Sequence, residues 1–122
     1  MRLTFRFQLV MAALVIIGSL GLKMTPAQAQ SPQKVEIVAQ RFQFTPSEIT
    51  LKKGEPVVLV LTSKDVTHGL KLDAFNQTLK AEKGKSSQVT VTPDATGDFV
   101  AQCAVFCGAG HGSMKLTIHV TE

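Results

Sequence analysis

The sequence predicts an all-β fold, a Greek-key β-sandwich of about seven or eight short strands. From residue 35 onward, apolar and polar residues alternate with the period of two that half-buried strands show. Turn residues interrupt this alternation roughly every eight to twelve residues, as they do in antiparallel sandwiches. After residue 29, no segment places apolar residues on one face of a helix over three turns.

Strand signals follow one another along the chain. The first covers residues 35–44 and is broken at Pro46, and the second, over 49–51, ends at the turn Lys53-Gly54. An uninterrupted apolar run over 57–61 suits a central strand. Five shorter candidates complete the sandwich, over residues 68–72, 78–81, 89–91, 98–102 and 116–120.

The first 29 residues differ from the rest of the chain. Arg2 and Arg6 precede an apolar run over residues 9–22, and Ala27-Gln28-Ala29 supplies the small-x-small pattern that signal peptidase accepts. The run is shorter than the roughly twenty apolar residues needed to span a bilayer. We predict a secretory signal over 1–29, or an uncleaved single anchor as the alternative, then a linker over 30–34 and one extracytoplasmic or periplasmic domain over 35–122.

The charge of the chain gives no reason to expect nucleic-acid binding. The sequence carries 13 Lys or Arg against 9 Asp or Glu, but Arg2, Arg6 and Lys23 belong to the predicted signal. The remainder is nearly neutral, whereas nucleic-acid binding requires a concentrated basic face. No Ser-His-acid set, phosphate loop or carboxylate pair indicates hydrolytic or phosphoryl-transfer chemistry.

The chemistry is concentrated in the segment CAVFCGAGHGSM, from Cys103 to Met114. Thiolate, imidazole and thioether together are the ligands that favour copper. Gly108, Gly110 and Gly112 allow the segment to fold as a tight loop between two strands. We therefore predict a copper site in this loop, with the ligands Cys103, Cys107, His111 and Met114.

His68 is the predicted fifth ligand, supplied by a distant strand. It follows the turn-like Ser63-Lys64-Asp65 and begins a strand whose end can lie beside the loop. A distant ligand makes the site depend on the folded sandwich, so metal binding would stabilise the domain. Asp65 is a candidate to orient His68 through a hydrogen bond. His119 lies on the polar side of the last strand and is predicted to be exposed.

Three other interpretations of the motif stay open. A Cys103–Cys107 disulfide suits an oxidising compartment, but it does not explain His111 and Met114 in the same glycine-rich loop. Zinc accepts two cysteines and two histidines and has little use for a methionine. One copper held by a single thiolate would be a blue-copper arrangement, whereas the second cysteine favours two bridging thiolates and two metals.

The loop CAVFCGAGHGSM and the segment RFQFTPSEITLKKGEPVVLVLTSKDVTHGL over 41–70 resemble a known family. This family is the binuclear copper A domain of cytochrome c oxidase subunit II, a cupredoxin fold shared by nitrous-oxide reductase. The short length, the DVTHG sequence and the lack of a two-helix hairpin make the chain most similar to the ba3-type subunit II. The implied metal centre is two coppers bridged by Cys103 and Cys107, with His68 and His111 binding one each and with weak ligands in the Met114 sulfur and the Val105 main-chain carbonyl.

The resemblance implies electron transfer from a periplasmic donor such as cytochrome c to a terminal oxidase, with heme-copper oxidase subunit I as a partner. The domain alone would catalyse no reaction. Many relatives accept electrons through an aromatic patch that often contains tryptophan, but this chain has no Trp or Tyr. Phe106 and an apolar surface around Met114 are the candidates here. A periplasmic copper delivery or storage protein and a mononuclear cupredoxin carrier remain the alternatives.

Overall fold

The computed structural model describes residues 23–122, which form a sandwich of two β-sheets. In this part of the chain the nine strands are β1 (Gln33–Gln40), β2 (Gln43–Thr45), β3 (Glu48–Lys52), β4 (Val57–Ser63), β5 (His68–Leu72), β6 (Gln77–Ala81), β7 (Ser86–Val91), β8 (Gly97–Gln102) and β9 (Lys115–Thr121). Two short 3₁₀ turns cover Asp73–Phe75 and His111–Ser113. One sheet has the order β2-β1-β4-β7 and the other β3-β9-β8-β5-β6. The predicted all-β sandwich is confirmed, with nine strands instead of seven or eight.

The additional strand arises because the first strand signal contains a chain reversal. β1 and β2 pair antiparallel around Arg41 and Phe42, with Gln40 opposite Gln43. The apolar positions change from odd numbers, as at Ile37, to even numbers, as at Phe44, and this change of parity marks the reversal. β1 also begins within the predicted linker, since Gln33 already pairs with the fourth strand.

Two strand pairs are parallel, so the expectation of an antiparallel sandwich is wrong for them. β1 pairs parallel with β4, and β3 pairs parallel with β9. Between β1 and β4 the chain crosses to the other sheet, forms β3 and returns, so it enters both strands in the same direction. Such crossovers are not encoded in the alternation of a single strand.

The core lies between the two sheets and is built from one inward face of each strand. β4 lies between β1 and β7, and Leu59 and Leu61 on it are completely buried, which confirms the predicted central strand. Burying one such side chain contributes about 1.5–3 kcal/mol. The other largest buried apolar side chains are Ile37, Phe44, Leu51, Leu70, Leu72, Leu116 and Ile118.

The strand order brings His68 and the predicted ligand loop to one end of the sandwich. β8 and β9 are antiparallel neighbours, with Gln102 opposite Lys115, so residues 103–114 connect them at that end. β5 runs beside β8 and begins at His68. The main-chain N–H of Ala104 donates to the carbonyl of Gly69 over 3.2 Å, which ties the loop to β5.

The predicted secretory signal lies largely in residues 1–22, outside the described residues. Within residues 23–122, no helix has the length and apolar character needed to cross a membrane.

Candidate metal centre

The centre is built around two buried cysteine thiols. Cys103 and Cys107 are both free and buried, and their Sγ atoms lie 3.9 Å apart. A disulfide would require a separation of about 2.05 Å, so the two sulfurs are not bonded. Metal–sulfur bonds are about 2.3 Å long, so both sulfurs can bond the same ion at this separation. Such an ion could sit on either side of the axis through the two sulfurs.

His68 faces the first thiol with one ring nitrogen and a carboxylate with the other. Its side chain is completely buried at the start of β5. The Nδ1 atom lies 4.0 Å from the Cys103 sulfur, and Nε2 lies 2.7 Å from Oδ1 of Asp65. The ligand atoms of His68, Cys103 and Cys107 all lie within 4.8 Å of one another, and within residues 23–122 this is the only group of three or more potential His, Cys, Asp or Glu ligands.

His111 and Met114 lie beside the second thiol. Nδ1 of His111 is 3.9 Å from the Cys107 sulfur, and Sδ of Met114 is 3.8 Å from the same sulfur. The short 3₁₀ turn that begins at His111 places these two side chains, and the N–H of Met114 donates to the carbonyl of His111. Met114 is only 1% exposed, so its thioether can contact an ion shielded from water.

The main-chain carbonyl of Val105 lies 3.1 Å from the Cys103 sulfur. The loop can approach β5 this closely because residue 69 is glycine, where a Cβ atom would lie 2.8 Å from Cβ of Ala104. The structure thus brings all the predicted ligand residues to one end of the sandwich: His68, Cys103, Val105, Cys107, His111 and Met114.

Asp65 is held as an anion beside His68. Burial acts to raise its pKa, but hydrogen bonds from the Arg41 N–H, the His68 ring and the Val66 N–H outweigh burial and lower the pKa from 3.8 to about 2. An ionised Asp65 accepts the Nε2–H of His68 and therefore leaves the lone pair of Nδ1 directed at the thiols. The orienting role suggested by the sequence agrees with this contact.

The Cys107 thiol holds its proton firmly when no cation competes for it. Burial and the neighbouring Cys103 thiol together raise the pKa of Cys107 from 9.0 to about 11, although the nearby Arg41 cation partly opposes them. Metal binding to cysteine requires the thiolate, so an ion that binds Cys107 must displace this proton. A soft cation with high affinity for sulfur fits this requirement best.

Two residues that no sequence pattern identified support the loop. The Arg41 side chain donates from Nε to the main-chain carbonyl of Cys107 over 2.7 Å, and its backbone N–H donates to Oδ2 of Asp65 over 2.8 Å. The Phe42 ring packs against Gly110, where a Cβ atom would lie 2.4 Å from the ring. The change of parity near these positions could have revealed the turn, but no local pattern links that turn to the ligand loop.

One aromatic side chain is strongly exposed at this end of the sandwich. Phe106 is 78% exposed, and its ring centroid lies 5.7 Å from that of His111. The Met114 side chain itself is only 1% exposed, so it does not contribute to the surface and the exposed apolar area at this end comes from neighbouring side chains. His119 lies elsewhere, near the far end of β9, where its ring binds Asp98 over 2.6 Å.

The chain is similar to a known protein family. A family model described as the periplasmic domain of cytochrome c oxidase subunit II matches residues 23–121. Two cytochrome c oxidase subunit 2 sequences from Thermus thermophilus are 32% identical to the chain over 102 residues, which is 80% of this chain. The chain spans 76% of the length of one of these relatives and 61% of the other.

Solved structures share the fold. The periplasmic domain of cytochrome oxidase subunit II from Bradyrhizobium japonicum superimposes with a TM-score of 0.70 at 19% identity, over 76% of this chain and 86% of that one. A chain of a heme-copper terminal oxidase dimer superimposes with a TM-score of 0.66 at 25% identity, over 88% of this chain and 87% of that one.

Proposed function

This chain belongs to the family of the cytochrome c oxidase subunit II periplasmic domain, and on that premise we propose that it is an electron-transfer domain with a binuclear copper A centre. Cys103 and Cys107 would bridge two coppers, and His68 and His111 would bind one each. The Met114 sulfur and the Val105 carbonyl would be weak ligands. One observation carries the proposal: two buried, unbonded thiols 3.9 Å apart, with an imidazole Nδ1 near each sulfur.

The residues of the chain would keep the ligands still during electron transfer. When bound, a copper pair supplies reversible one-electron chemistry, with the exchanged charge shared through the bridging thiolates. His68 is fixed by Asp65, the carbonyl of Cys107 is held by Arg41, and Met114 is packed in the core. The buried His68 and Met114, held in fixed positions and shielded from water, keep structural change small when the charge changes.

The proposed location and partners follow the family. The domain would lie outside the cytoplasm, delivered by a cleaved signal over residues 1–29 or held by a single anchor there. A periplasmic donor such as cytochrome c would reduce it, and subunit I of a heme-copper oxidase would accept the electron. The proposed ba3-type assignment rests on the DVTHG sequence around His68. Any enzymatic activity would belong to the assembly.

Metal analysis and electron spin resonance test the proposal. The copper-loaded protein should contain two coppers per chain, be purple and give a multi-line spectrum from one electron shared by two nuclei. A four-line spectrum with one copper per chain would contradict the binuclear centre and favour a mononuclear carrier.

Matched variants assign the ligands. Cys103→Ser and Cys107→Ser should each abolish the multi-line pattern, because a serine oxygen is a poor replacement for a bridging thiolate. His111→Gln should alter the spectrum, whereas His119→Gln, which removes a histidine on the same chain away from the centre, should not. An unchanged spectrum in His111→Gln would remove His111 from the ligand set.

A copper-delivery role is the second candidate, and the partial exposure of His111 favours it. A ligand at the surface can be exchanged for a ligand of an acceptor protein, whereas His68 is completely buried. Delivery predicts that copper leaves within minutes to an equimolar thiol-rich acceptor. Copper that is retained while electrons exchange rapidly with cytochrome c would exclude it.

A further inference from the structure

Charge is segregated between the two ends of the sandwich. We call the end that carries the candidate ligands the metal end, formed by the strand termini and connections over residues 40–43, 63–68, 81–86 and 102–115. Its basic residues are Arg41, Lys64, Lys83, Lys85 and Lys115, and its acidic residues are Asp65 and Glu82. The opposite end carries the acidic residues Glu36, Glu55, Asp73, Asp94, Asp98 and Glu122 against the basic residues Lys34, Lys52, Lys53 and Lys71, so its net charge is weakly negative.

The carboxylates of the metal end are already engaged within the protein. Asp65 accepts hydrogen bonds from the Arg41 N–H and from His68, and Glu82 forms an ion pair with Lys85 over 2.8 Å. Glu48, on the outer face of the five-stranded sheet, lies 3.4 Å from His119. The metal end has five basic side chains and two carboxylates, so its net charge remains positive.

Three lysines of the metal end are exposed and carry uncompensated charge. Within residues 23–122, Lys64, Lys83 and Lys115 form no salt bridge. Of the lysines toward the other end, Lys34, Lys53 and Lys71 each form one, whereas Lys52 forms none in the described part of the chain. Lys64 immediately precedes Asp65, and Lys115 immediately follows Met114. The free cations thus surround the candidate metal centre.

An apolar surface lies among these cations. Phe106 is adjacent to Cys107, is 78% exposed and lies 5.7 Å from the ring of His111. Phe42, which covers Gly110, is 37% exposed. An exposed aromatic centre with a charged rim is the usual composition of a protein–protein interface, and an exposed Phe beside a metal ligand would otherwise have to remain in water.

We propose that the metal end is the docking face for a redox protein whose own cofactor is surrounded by acidic side chains. The inference rests on the proposed function, because the partner must approach the copper centre. Carboxylates on the partner would pair with Lys64, Lys83 and Lys115, and an apolar cofactor edge would contact Phe106. A lysine-rich partner would instead be repelled, since like charges facing one another slow association.

Reduction kinetics with two charge forms of one donor test this directly. The copper-loaded full chain is mixed with reduced lysine-rich cytochrome c, or with the same cytochrome after its lysines have been succinylated. At low ionic strength we expect the acidic form to react about ten-fold faster or more, and its rate should fall as salt is added. A faster reaction with the native cytochrome, decreasing with salt, would overturn the proposal.

Charge-reversal variants assign the effect to the face. The double variant Lys64→Glu with Lys115→Glu should be reduced several-fold more slowly by the acidic cytochrome at low salt. Its reduction rate should also lose most of its dependence on salt. The matched control is Lys52→Glu combined with Lys53→Glu at the opposite end. This control should leave the reduction rate and its salt dependence unchanged. Phe106→Ala should slow the reaction at every ionic strength, because it removes apolar contact and not charge. If the two double variants changed the reduction rate equally, the claim that the metal end is a specific docking face would be contradicted.

Two further results separate this inference from the proposed function. In the first, neither form of the cytochrome reduces the protein although its copper spectrum is intact. That result would contradict the proposed electron-transfer function, and the docking proposal, which rests on it, would be wrong as well. Alternatively, both forms could react at equal rates while anionic lipid vesicles bind the protein through Lys64 and Lys115. The proposed function would then stand, but the metal end would bind a membrane surface and the docking proposal would be wrong.

Discussion

The side chain of Arg41 donates from Nε to the main-chain carbonyl of Cys107 over 2.7 Å, although the two residues are 66 positions apart in the sequence. The backbone N–H of the same residue donates to Asp65, and Asp65 contacts Nε2 of His68. One residue in the β1–β2 turn therefore supports both a thiol and an imidazole of the candidate centre.

Replacing Arg41 should loosen the ligand loop. Arg41→Ala removes the charged hydrogen bond to the Cys107 carbonyl, and we expect the apoprotein to lose about 1–2 kcal/mol of unfolding free energy. Copper should also dissociate faster. Arg41→Lys keeps the charge but not the fixed position of the Nε–H, so it should recover only part of the loss. Urea denaturation and copper release to a chelator measure both effects, and full recovery by lysine would indicate that charge alone matters.

A methyl group at Gly110 should disturb the loop, whereas one at Gly112 should not. At Gly110 a Cβ atom would lie 2.4 Å from the Phe42 ring, while at Gly112 no atom lies within 4 Å. We expect Gly110→Ala to destabilise the protein by about 1–3 kcal/mol through overpacking. The change in the urea midpoint measures this, with Gly112→Ala as the matched control. Combining Gly110→Ala with Phe42→Ala should remove the clash, so the two effects should not add.

Asp65 should contribute stability that is lost in acid. Its folded pKa is about 2, below the ordinary value of 3.8, so the contribution is complete above about pH 4 and disappears as the pH falls toward 2. The expected size is about 1–2 kcal/mol after allowance for solvent screening. Urea titrations of the apoprotein between pH 5 and 2 should show a shallower pH dependence for Asp65→Asn than for the wild type. An identical slope would contradict the assignment.

Metal uptake should release protons from the thiols. Because the pKa of Cys107 is about 11, this group is protonated in the apoprotein at neutral pH, and copper must displace its proton. Apparent copper affinity should therefore rise about ten-fold per pH unit for each proton displaced. Cys107→Ser should release fewer protons in a pH-stat measurement, whereas Met114→Leu, which removes a ligand without a proton, should leave the number unchanged.

His119 should stabilise the protein below neutral pH only. The hydrogen bond to Asp98 raises the pKa of His119, burial partly opposes this rise, and the contact with Glu48 adds a smaller rise. A raised pKa gives stability that is present below the ordinary value of 6.5 and is lost as the pH rises through the folded value. His119→Gln should therefore lower the melting temperature at pH 5 and have little effect at pH 9. An equal loss at both pH values would indicate packing instead.

The sequence by itself predicts the fold class, which the structure confirms, and a set of side chains suited to copper. Period-two alternation reports which residues face a core, so the sandwich and its central strand β4 could be predicted. The two cysteines, His111 and Met114 lie within a twelve-residue loop, so their proximity follows from short connections. His68 could be added because it begins a strand and its side chain suits the same metal.

Only the tertiary structure decided which strands are parallel, where Arg41 and Phe42 lie, and that Met114 is buried while Phe106 is exposed. These features depend on how the chain crosses between sheets and on contacts between residues far apart in sequence, such as Arg41 with Cys107. Local alternation records burial within one strand but not the partner across the sandwich. The distribution of charge between the two ends also emerges only when the strand termini are assembled, because the basic residues of the metal end are scattered from Arg41 to Lys115.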